Sequence, residues 1–410
     1  MTDHSLLSFK PTKHSDTKTH KATEWQGKKT IQVNDHPLPL LTDPSDVLLR
    51  ITSTAICGSD LHLYLNAMPG MKKGDVLGHE FMGVVEEVGS NVTKFQKGDR
   101  AVASFEFGCG KCVFCHHEQY SSCDTTNPST AQGELYGDRT AGFHGYSHLT
   151  GGFDGGQAEY ARVPFGDLNL IKVPSDMDDN KVLFLSDILA TGWHATELGN
   201  VHDGDSVAIW GCGPVGILAA QCAHVRGAQR IIMIDNQQYR LDFAKQKLPY
   251  LELLNFDNTK DVVQSLKDMV PLGPDVCIEA VGFHYATSIK DKIQMALMLE
   301  TDPALMLNQM IMACKKRGRL SIVGVYAATV NGLNIGAFME KGLSMAAGQT
   351  PVQAYWFKLL DLIREGKLTP EMVITHQLPL TEAAHGYKIF NEKTDNCVKV
   401  VLKPGLKAAA

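Results

Sequence analysis

The spacing of hydrophobic residues divides the chain into two regions with different patterns. Between residues 47 and 102, short apolar and β-branched runs alternate with Gly- and Asp-containing turns. The clearest of these runs are Val47–Ile51, Gly83–Val88 and Ala101–Ala103. Short strands separated by such turns are typical of all-β units. We therefore predict a compact, mostly-β domain here.

Beyond Ser206 the pattern changes to alternating strands and helices. Four short apolar runs have the length and composition of strands buried in a parallel sheet: Val207–Trp210, Ile231–Ile234, Val276–Glu279 and Leu320–Val323. Helical periodicity fills the segments that follow, at Pro214–Arg226, Tyr239–Gln246, Thr259–Met269 and Ala304–Lys315. This alternation predicts right-handed βαβ units and a doubly wound α/β domain.

The remaining segments set the domain boundaries. Val352–Glu365 is apolar at helical spacing after Pro351, and Cys397–Leu402 resumes short strands that we expect to return to the β domain. The first residues are polar and rich in His, Lys and Thr. We predict a disordered tail over 1–27, the β domain over 28–189 and 352–410 with a loop-rich lobe at 109–123, and the α/β domain over 190–351.

Composition narrows the classes of partner. The 410 residues are 44% hydrophobic and 20% charged, as in ordinary globular proteins, and their number favours two domains. The formal net charge of −6 contains no long block of one sign, which argues against nucleic acid and anionic membranes as partners. Neither a secretory signal nor a stretch of about 18 apolar residues is present, so we expect a cytoplasmic protein without a membrane span.

Four of the ten cysteines form the pattern Cys109-x2-Cys112-x2-Cys115-x7-Cys123. Four thiolates at this spacing satisfy a tetrahedral zinc and leave no open position, so such a site is structural. The same thiolates could hold an iron–sulfur cluster. A nucleic-acid-binding zinc finger is the other alternative, but no basic helix adjoins the lobe.

The run Gly211-Cys212-Gly213-Pro214-Val215-Gly216 lies between a predicted strand and a predicted helix. Glycines in this context permit a tight turn and the approach of a pyrophosphate to the helix N-terminus. Asp235 closes the second strand, 19 residues after Gly216, where a carboxylate binds both ribose hydroxyls and repels a 2′-phosphate. The pattern predicts NAD rather than NADP, and the alternative is a Gly-rich turn in another α/β protein.

Two short motifs supply candidate ligands for a second metal. Cys57-Gly58-Ser59-Asp60 and Gly78-His79-Glu80 lie within the same predicted β domain. A single Cys or His is usually a packed residue, but together they offer a soft and a borderline ligand. A catalytic zinc needs three protein ligands and one open position. Spacing alone does not name the third ligand.

In their order along the chain, these motifs resemble the zinc-dependent medium-chain alcohol dehydrogenases, from about Lys29 to Lys403. The resemblance implies a GroES-like catalytic domain joined to a Rossmann domain. Within the superfamily the chain is most similar to glutathione-independent formaldehyde dehydrogenases and formaldehyde dismutases. Four segments and two stretches of extra length carry that finer similarity: Gly155–Tyr160, Leu185–Gly192, Glu279–Gly282 and Gly348–Val352, with the extra residues between Cys123 and Gly151 and between Phe283 and Leu307.

The resemblance implies that Cys57, His79 and Asp187 hold the catalytic zinc. Glu80 would be an alternative or transient ligand, and Asp60 would accept the second ring N–H of His79. A second zinc on the four cysteines gives two per chain.

The resemblance also assigns a proton relay. Ser59 occupies the position of the relay hydroxyl, His62 occupies its outer end, and Thr191 would pack against the nicotinamide ring. A substrate proton would pass through Ser59, the cofactor ribose and His62 to solvent.

Five further residues would bind the cofactor. Val281 belongs to the cofactor-binding set, and Val323 would offer a backbone carbonyl to the carboxamide. Asp235 and Arg240 would frame the adenosine ribose, and Lys399 would reach the pyrophosphate. Arg240 and Lys399 have an alternative interpretation as solvated surface charges.

The implied activity is NAD-dependent oxidation of a small alcohol or hydrated aldehyde, or the reverse reduction, as in formaldehyde dehydrogenase or dismutase. The inserts at 134–149 and 285–303 share length more than residues with that branch. A larger alcohol or ketone is therefore the alternative, with a broader site lined by Tyr136, Phe143, His144, Tyr146 and His148. A catalytically silent relative is a third hypothesis, against which the intact Ser59 and His62 argue. The family also implies a homo-oligomer, a dimer or tetramer.

Overall fold

A computed structural model describes residues 10–282, 302–326 and 329–406. The first nine residues of the predicted tail and most of the insert at 285–303 lie outside the described residues. In chain order the strands are β1 (Lys13–Gly27), β2 (Thr30–Leu40), β3 (Val47–Ile56), β4 (Glu80–Val88), β5 (Arg100–Ala103), β6 (Glu106–Phe107), β7 (Gly142–Phe143), β8 (Tyr160–Val163), β9 (Leu170–Lys172), β10 (Ser206–Trp210), β11 (Arg230–Asp235), β12 (Glu252–Asn255), β13 (Val276–Glu279), β14 (Asp302–Pro303), β15 (Arg319–Ile322), β16 (Val330–Asn331), β17 (Ser344–Ala347), β18 (His376–Pro379) and β19 (Val400–Lys403).

The described α-helices are α1 (Asp60–Tyr64), α2 (Val113–His116), α3 (Thr130–Tyr136), α4 (Gly166–Asn169), α5 (Asp179–Val182), α6 (Ile188–Leu198), α7 (Pro214–Val225), α8 (Gln238–Lys247), α9 (Val262–Met269), α10 (Leu305–Ala313), α11 (Ile335–Glu340), α12 (Val352–Arg364) and α13 (Ala383–Glu392). Short 3₁₀ helices occur at Tyr120–Ser122, His148–Thr150, Leu183–Ser186, Phe256–Asn258, Pro370–Val373 and Leu380–Glu382. In the described part of the chain, no helix has both the length and the apolar character needed to cross a bilayer.

The chain divides into two compact units: unit 1 comprises Met1–Ala190 with Thr350–Ala410, and unit 2 comprises Thr191–Gln349. The lobe at 109–123, predicted as loops, contains helix α2 and a 3₁₀ turn, and α3 follows it. The boundaries between the units fall one or two residues from the predicted ones, at 190/191 and 349/350.

Unit 2 is built on a six-stranded sheet in the order β12-β11-β10-β13-β15-β17, and every pair of neighbours is parallel. Numbered within the unit, this is the 3-2-1-4-5-6 order of the Rossmann fold. Each of the four central strands contributes one fully buried side chain to a single core: Ala208, Ile232, Cys277 and Leu320. These are the four strands that the apolar runs predicted.

Unit 1 contains a sheet in the order β18-β19-β3-β4-β5-β9, with β8 also paired to β3. Alternate residues of β3, Val47, Leu49 and Ile51, point into a core that includes Phe81 of β4. Because β3 and β4 pair with Ala55 opposite Glu80, the segment after β3 and the segment before β4 emerge together at one end of the sheet.

An N-terminal hairpin replaces most of the predicted tail. Lys13–Gly27 forms β1, which pairs antiparallel with β2, so the expectation of disorder over 1–27 is wrong for the part that the structure describes. Backbone hydrogen bonds also join it to the rest of unit 1, such as Thr23 N–H to Gln157 O at 2.8 Å and Leu77 N–H to Thr23 O at 3.0 Å. Backbone pairing and the burial of residues 22–25 therefore order a segment whose composition is largely polar.

Candidate active site

A cluster of four buried ligand groups lies where β3 and β4 emerge from the sheet of unit 1. Cys57 follows β3, His79 and Glu80 stand at the start of β4, and Asp187 follows the 3₁₀ helix at Leu183–Ser186. One ligand atom from each of the four lies within 4.8 Å of the others. The structure therefore brings together the ligands that the resemblance named.

The distances between these atoms suit a tetrahedral zinc. Nε2 of His79 is 3.3 Å from Oδ2 of Asp187, and Sγ of Cys57 is 3.8 Å from the same oxygen. Ligands about 2.0 Å (N, O) and 2.3 Å (S) from one ion would be separated by roughly 3.3 and 3.5 Å. Cys57, His79 and Asp187 thus fit the metal.

Charge points to the same conclusion. Burial, together with the neighbouring Glu80, raises the pKa of the Cys57 thiol to about 11. Burial also raises the pKa of Glu80. A bound divalent cation offsets these penalties and holds the sulfur as thiolate.

The ring of His79 is oriented by Asp60, a fully buried carboxylate. Oδ1 of Asp60 lies 3.0 Å from Nδ1 of His79, which leaves Nε2 to face Asp187. Oδ2 of Asp60 accepts from the backbone N–H of Cys57 at 3.0 Å and from Nε2 of Gln157 at 3.1 Å. Tyr387 in turn donates to Oε1 of Gln157 at 2.9 Å. Sequence reasoning missed Gln157 and Tyr387 because only the fold brings them to this place.

Lys399 does not occupy its predicted place. Its side chain is completely buried in unit 1, and its Nζ lies 2.7 Å from Oε1 of the equally buried Glu80. Oε2 of Glu80 has no hydrogen-bond partner among the described residues. The prediction that Lys399 reaches a pyrophosphate is therefore wrong, because its ammonium group neutralises Glu80 instead.

The predicted relay residues lie beside this cluster. Oγ of Ser59 is 3.3 Å from Nε2 of His79. Ser59 directly precedes helix α1, and the backbone N–H of His62 donates to the carbonyl of Ser59 at 3.1 Å. His62 is half-buried one turn further along.

Aromatic side chains crowd His79. The rings of Phe105 and Tyr146 stand edge-on to the imidazole, with centroids 6.2 and 6.0 Å away, and Phe143 packs against both. The other insert residues proposed for a broader site lie elsewhere: His144 is buried against Phe81 and Phe107, His148 contacts Asp75, and Tyr136 is 48% exposed.

The four cysteines of the lobe also converge. Their sulfur atoms lie within 4.8 Å of one another and are buried. Two of the sulfur–sulfur distances, Cys109 to Cys115 and Cys112 to Cys123, are 3.9 Å, close to the roughly 3.8 Å edge of a tetrahedron of thiolates around zinc. The lobe thus fits a closed, structural zinc.

In unit 2 three glycines follow β10, and each has a different structural role. Gly211 has φ +101° in the turn. A Cβ on Gly213 would meet only Nη1 of Arg240, at 4.0 Å, so its surface is open to a ligand. A Cβ on Gly216 would lie 1.9 Å from the carbonyl oxygen of Gly211, so only glycine lets α7 pack there. These are the roles of a dinucleotide-binding turn, and the residues fit a pyrophosphate at the start of α7.

Asp235 lies at the end of β11, beside this turn. Its Oδ2 accepts from the backbone N–H of Cys212 at 2.7 Å, and its Oδ1 accepts from Gln237 N–H at 2.8 Å. The guanidinium of Arg240 lies over the ring of Tyr239, and Nε of Arg240 donates to the Tyr239 hydroxyl at 3.0 Å. Both predicted ribose residues thus belong to the surroundings of the glycine turn.

Val281 and Val323 follow β13 and β15, two adjacent strands of the same sheet, and Thr191 is the first residue of unit 2. The buried Glu279 fastens the two turns, because its carboxylate accepts from Val281 N–H at 2.7 Å and from Gly324 N–H at 3.1 Å. A glutamate at the end of an otherwise apolar strand was the available sequence signal for this role.

Comparisons with known proteins agree with both units. Residues 43–175 match the family described as Alcohol dehydrogenase GroES-like domain, and residues 214–296 match the Zinc-binding dehydrogenase family. The zinc-type alcohol dehydrogenase-like protein AdhB of Bacillus subtilis is 40% identical over 94% of this chain and 100% of its own length.

Two further relatives bear on the finer assignment. The solved alcohol dehydrogenase TADH from Thermus sp. ATN1 is 33% identical, with a TM-score of 0.80 over 93% of this chain and 99% of its own. A glutathione-independent formaldehyde dehydrogenase of Pseudomonas aeruginosa is 32% identical over 91% of this chain and 95% of its own length. That identity is lower than AdhB's, so the comparisons confirm the superfamily but not the predicted closeness to the formaldehyde branch.

The GroES-like and Rossmann fold classes are thereby confirmed, as is the prediction of an alcohol- or aldehyde-acting oxidoreductase. Zinc and NAD are the cofactors typical of such enzymes. With these matches and the metal-ligand geometry, the chain belongs to the zinc-type, medium-chain alcohol dehydrogenase superfamily.

Proposed function

We propose that this protein oxidises a small primary alcohol or a hydrated aldehyde with NAD, and catalyses the reverse reduction. The aromatic packing around His79 is the observation that supports a small substrate. Phe105, Phe143 and Tyr146 are each more than nine-tenths buried, and the rings of Phe105 and Tyr146 stand edge-on to the imidazole. A substrate of one to a few carbon atoms suits such surroundings.

In the proposed mechanism Cys57, His79 and Asp187 hold the catalytic zinc. When bound, zinc acts as a Lewis acid that lowers the pKa of an alcohol or hydrate oxygen. Asp60 holds the ring of His79 through its Oδ1, which lies 3.0 Å from Nδ1, so that Nε2 faces Asp187. The Lys399 ammonium group holds Glu80 by its Oε1 at the edge of the cluster.

Ser59 is the proposed proton acceptor. Because its Oγ lies 3.3 Å from the ligating nitrogen of His79, it is within reach of an oxygen bound beside that nitrogen. The hydroxyl accepts the substrate proton and passes a proton outward, with half-buried His62 as its outlet to solvent. The substrate carbon then gives up its hydride, for which NAD is the acceptor.

Asp235 supports NAD rather than NADP. Its carboxylate is held by two backbone N–H groups beside the glycine turn, where it can accept from ribose hydroxyls. A 2′-phosphate there would meet its negative charge. We expect kcat/KM to be higher with NAD than with NADP.

Formaldehyde is one candidate substrate, because the 32% identical Pseudomonas relative is a formaldehyde dehydrogenase. Its hydrate is a geminal diol, so loss of one O–H proton and one hydride from carbon gives formic acid. If the reduced cofactor stays bound, a second formaldehyde takes up that hydride and a proton to give methanol. Two formaldehydes and one water then yield one formate, one proton and one methanol.

The test is a substrate panel on protein whose zinc has been counted. It should include formaldehyde, primary alcohols of one to eight carbons, and secondary and cyclic alcohols, each with NAD and NADP. The proposal expects the highest kcat/KM for the smallest substrates. Best turnover with a bulky alcohol or ketone would contradict it and favour the larger-substrate alternative.

Two controls separate the parts of the proposal. Asp187→Ala should abolish turnover while one zinc per chain remains on the four cysteines, and unchanged activity would mean that Asp187 is not the third ligand. Incubation with formaldehyde but without added NAD tests dismutation. Equal amounts of formate and methanol would support it, and the absence of both would remove it.

We also propose that the protein is a cytoplasmic homo-oligomer. None of the ten cysteines forms a disulfide, which suits a reducing compartment. Strand β17 is a largely exposed edge of the unit 2 sheet, and the nearby helix α11 exposes Ile335 at 61% and Met339 at 68%. A second copy pairing at this edge would cover both. Sedimentation equilibrium would distinguish a dimer or tetramer from a monomer.

A further inference from the structure

Unit 1 contains a third group of potential metal ligands, separate from both zinc sites. His14 of β1, His36 of β2 and Asp154 bring one ligand atom each within 4.8 Å of the others. The family resemblance assigned nothing to these residues. One of the three residues, His14, lies in β1, within the segment 1–27 that sequence composition had suggested to be disordered.

The fold builds this cluster by strand pairing. His20 and His36 lie opposite each other in the β1–β2 register, and opposite residues of an antiparallel pair share one face. Ala22 lies on that face and packs against Val76 and Ala158, so the face is turned toward the rest of unit 1. Beyond His20 the register is irregular, and the ring of His14 lies 5.6 Å from that of His36.

His36 is prepared as a ligand by Glu24. Nδ1 of His36 lies 2.8 Å from Oε1 of the buried Glu24. Because a carboxylate only accepts, Nδ1 carries the hydrogen and Nε2 keeps its lone pair. Asn34 and Gln26 each donate to the other oxygen of Glu24 at 2.8 Å, which fixes this carboxylate. A carboxylate behind a histidine is the usual support of a metal-binding imidazole.

His14 and Asp154 supply the other two ligand groups. Nε2 of His14 and Oδ2 of Asp154 are 2.7 Å apart, a hydrogen bond that an entering ion would replace. The side chains of His14, Asp154 and His36 are 32%, 25% and 17% exposed, so water reaches the cluster. An ion held by three protein ligands at a site that water reaches would complete its coordination with water molecules.

Charge also favours a divalent cation. Asp154 and Glu24 bring two carboxylates, and the imidazoles of His14 and His36 complete the set. Arg162 also acts electrostatically on His14, but its guanidinium is paired with Asp46 through contacts of 2.7 and 3.1 Å. Two imidazoles and one carboxylate select zinc, cobalt, nickel or copper over magnesium or calcium, which prefer oxygen ligands alone.

The geometry points to a third metal site in this protein: a divalent transition-metal ion held by His14, His36 and Asp154, with Glu24 orienting His36. The ion would cross-link the hairpin to the loop that carries Asp154. That loop continues to Gln157, which contacts Asp60 behind His79. This site does not rest on the proposed function.

The test uses holoprotein in which the two other zinc sites are already filled and counted. Equilibrium dialysis against Co²⁺ at defined free concentrations should show one further ion per chain. His14→Gln, His36→Gln and Asp154→Asn should each weaken that binding by at least tenfold, and Glu24→Gln by roughly 10- to 100-fold. The added Co²⁺ should show no thiolate charge-transfer band, since no cysteine belongs to the cluster.

Two variants serve as matched controls. His20→Gln removes a neighbouring imidazole whose Nδ1 already accepts from Tyr160 N–H at 3.2 Å, and His385→Gln removes an exposed histidine. Both should bind the further ion as the wild type does. The proposal is overturned if no further ion binds, if a thiolate band shows exchange at a cysteine site, if the ligand variants bind unchanged, or if either control variant abolishes binding. Thermal unfolding without added metal establishes that the ligand variants are folded, and the wild-type stoichiometry and spectrum decide the proposal without them.

Discussion

Replacing Lys399 by methionine tests whether the buried ion pair with Glu80 supports the active site. Both side chains are 0% exposed, and Nζ lies 2.7 Å from Oε1. Methionine is unbranched and of similar length, so it removes the charge with little change in packing. The Glu80 carboxylate would then be buried without its counter-charge, next to the ligands of the catalytic zinc.

Removing one partner of a buried pair costs about 3–5 kcal/mol. Lys399→Met should lose that much free energy of unfolding, measured by urea titration of the zinc-loaded protein. Lys388→Met, at an exposed lysine of the same unit, should stay within roughly 0.5 kcal/mol of the wild type. Activity should fall as well, since an unpaired Glu80 carboxylate competes for the open position on zinc.

The double variant Lys399→Met with Glu80→Gln distinguishes loss of the pair from loss of packing. It leaves no net charge buried, so it should recover at least half of the lost stability. If the double variant is no more stable than Lys399→Met, packing rather than charge accounts for the effect. If Lys399→Met is as stable as Lys388→Met, the reasoning from the ion pair is refuted.

Three other changes test neighbouring features. Asp60→Asn should weaken zinc binding beside His79 by about 10- to 100-fold while the four-cysteine zinc stays, as metal competition would show; equal affinity would mean that Asp60 does not orient the ring. Burial raises the pKa of Glu106 from 4.5 to about 8, so its proton stabilises the fold fully below pH 4.5, and this contribution falls by up to about 1.4 kcal/mol per pH unit until pH 8. Glu106→Gln should therefore gain stability over wild type as pH rises from 5 to 8 in urea titrations, and a constant difference would contradict the shift. In Gly156→Ala the new Cβ would lie 2.1 Å from Cγ of Phe81, which should cost about 1–3 kcal/mol in the same assay, and an unaffected midpoint would show that the ring can move.

The core of unit 2 could be predicted from sequence because its physics is local. Buried parallel strands are continuous apolar runs, and the glycine turn between β10 and α7 marks their direction. The two outermost strands were not predicted because they lack such apolar runs. β12 is half-buried and flanked by polar residues, and β17 is largely exposed. A strand covered on fewer sides has less need of apolar residues.

Composition did not predict order in the hairpin β1–β2 because several of its contacts are with residues remote in sequence. Its histidines find acceptors and donors on Asp154, Glu24 and Tyr160 rather than in water. Composition alone describes such a segment as polar, whereas pairing with residues far along the chain orders it. Local periodicity carries no information about those pairings.

The proposed third zinc ligand could not be identified from sequence spacing for a related reason. Asp187 follows a buried 3₁₀ helix, Leu183–Ser186, and reaches Cys57 and His79 only through the packing of that helix against β4. The chain between His79 and Asp187 is long, and its sequence spacing alone is compatible with many positions of Asp187. The resemblance to a family named the residue, and the packing of unit 1 shows how it arrives.

Lys399 shows which signal should have been given more weight. It stands within the apolar run Cys397–Leu402, and a lysine inside such a run is either at an exposed edge or buried with a counter-charge. Lys399 immediately precedes β19, which is internal to its sheet between β18 and β3, and this removes the first option. Glu80 opens β4, on the other side of β3, and its buried carboxylate is the counter-charge that the lysine requires. A charge at the start of a strand inside a sheet therefore predicts a buried partner, and here that partner lies among the candidate ligands of the catalytic zinc.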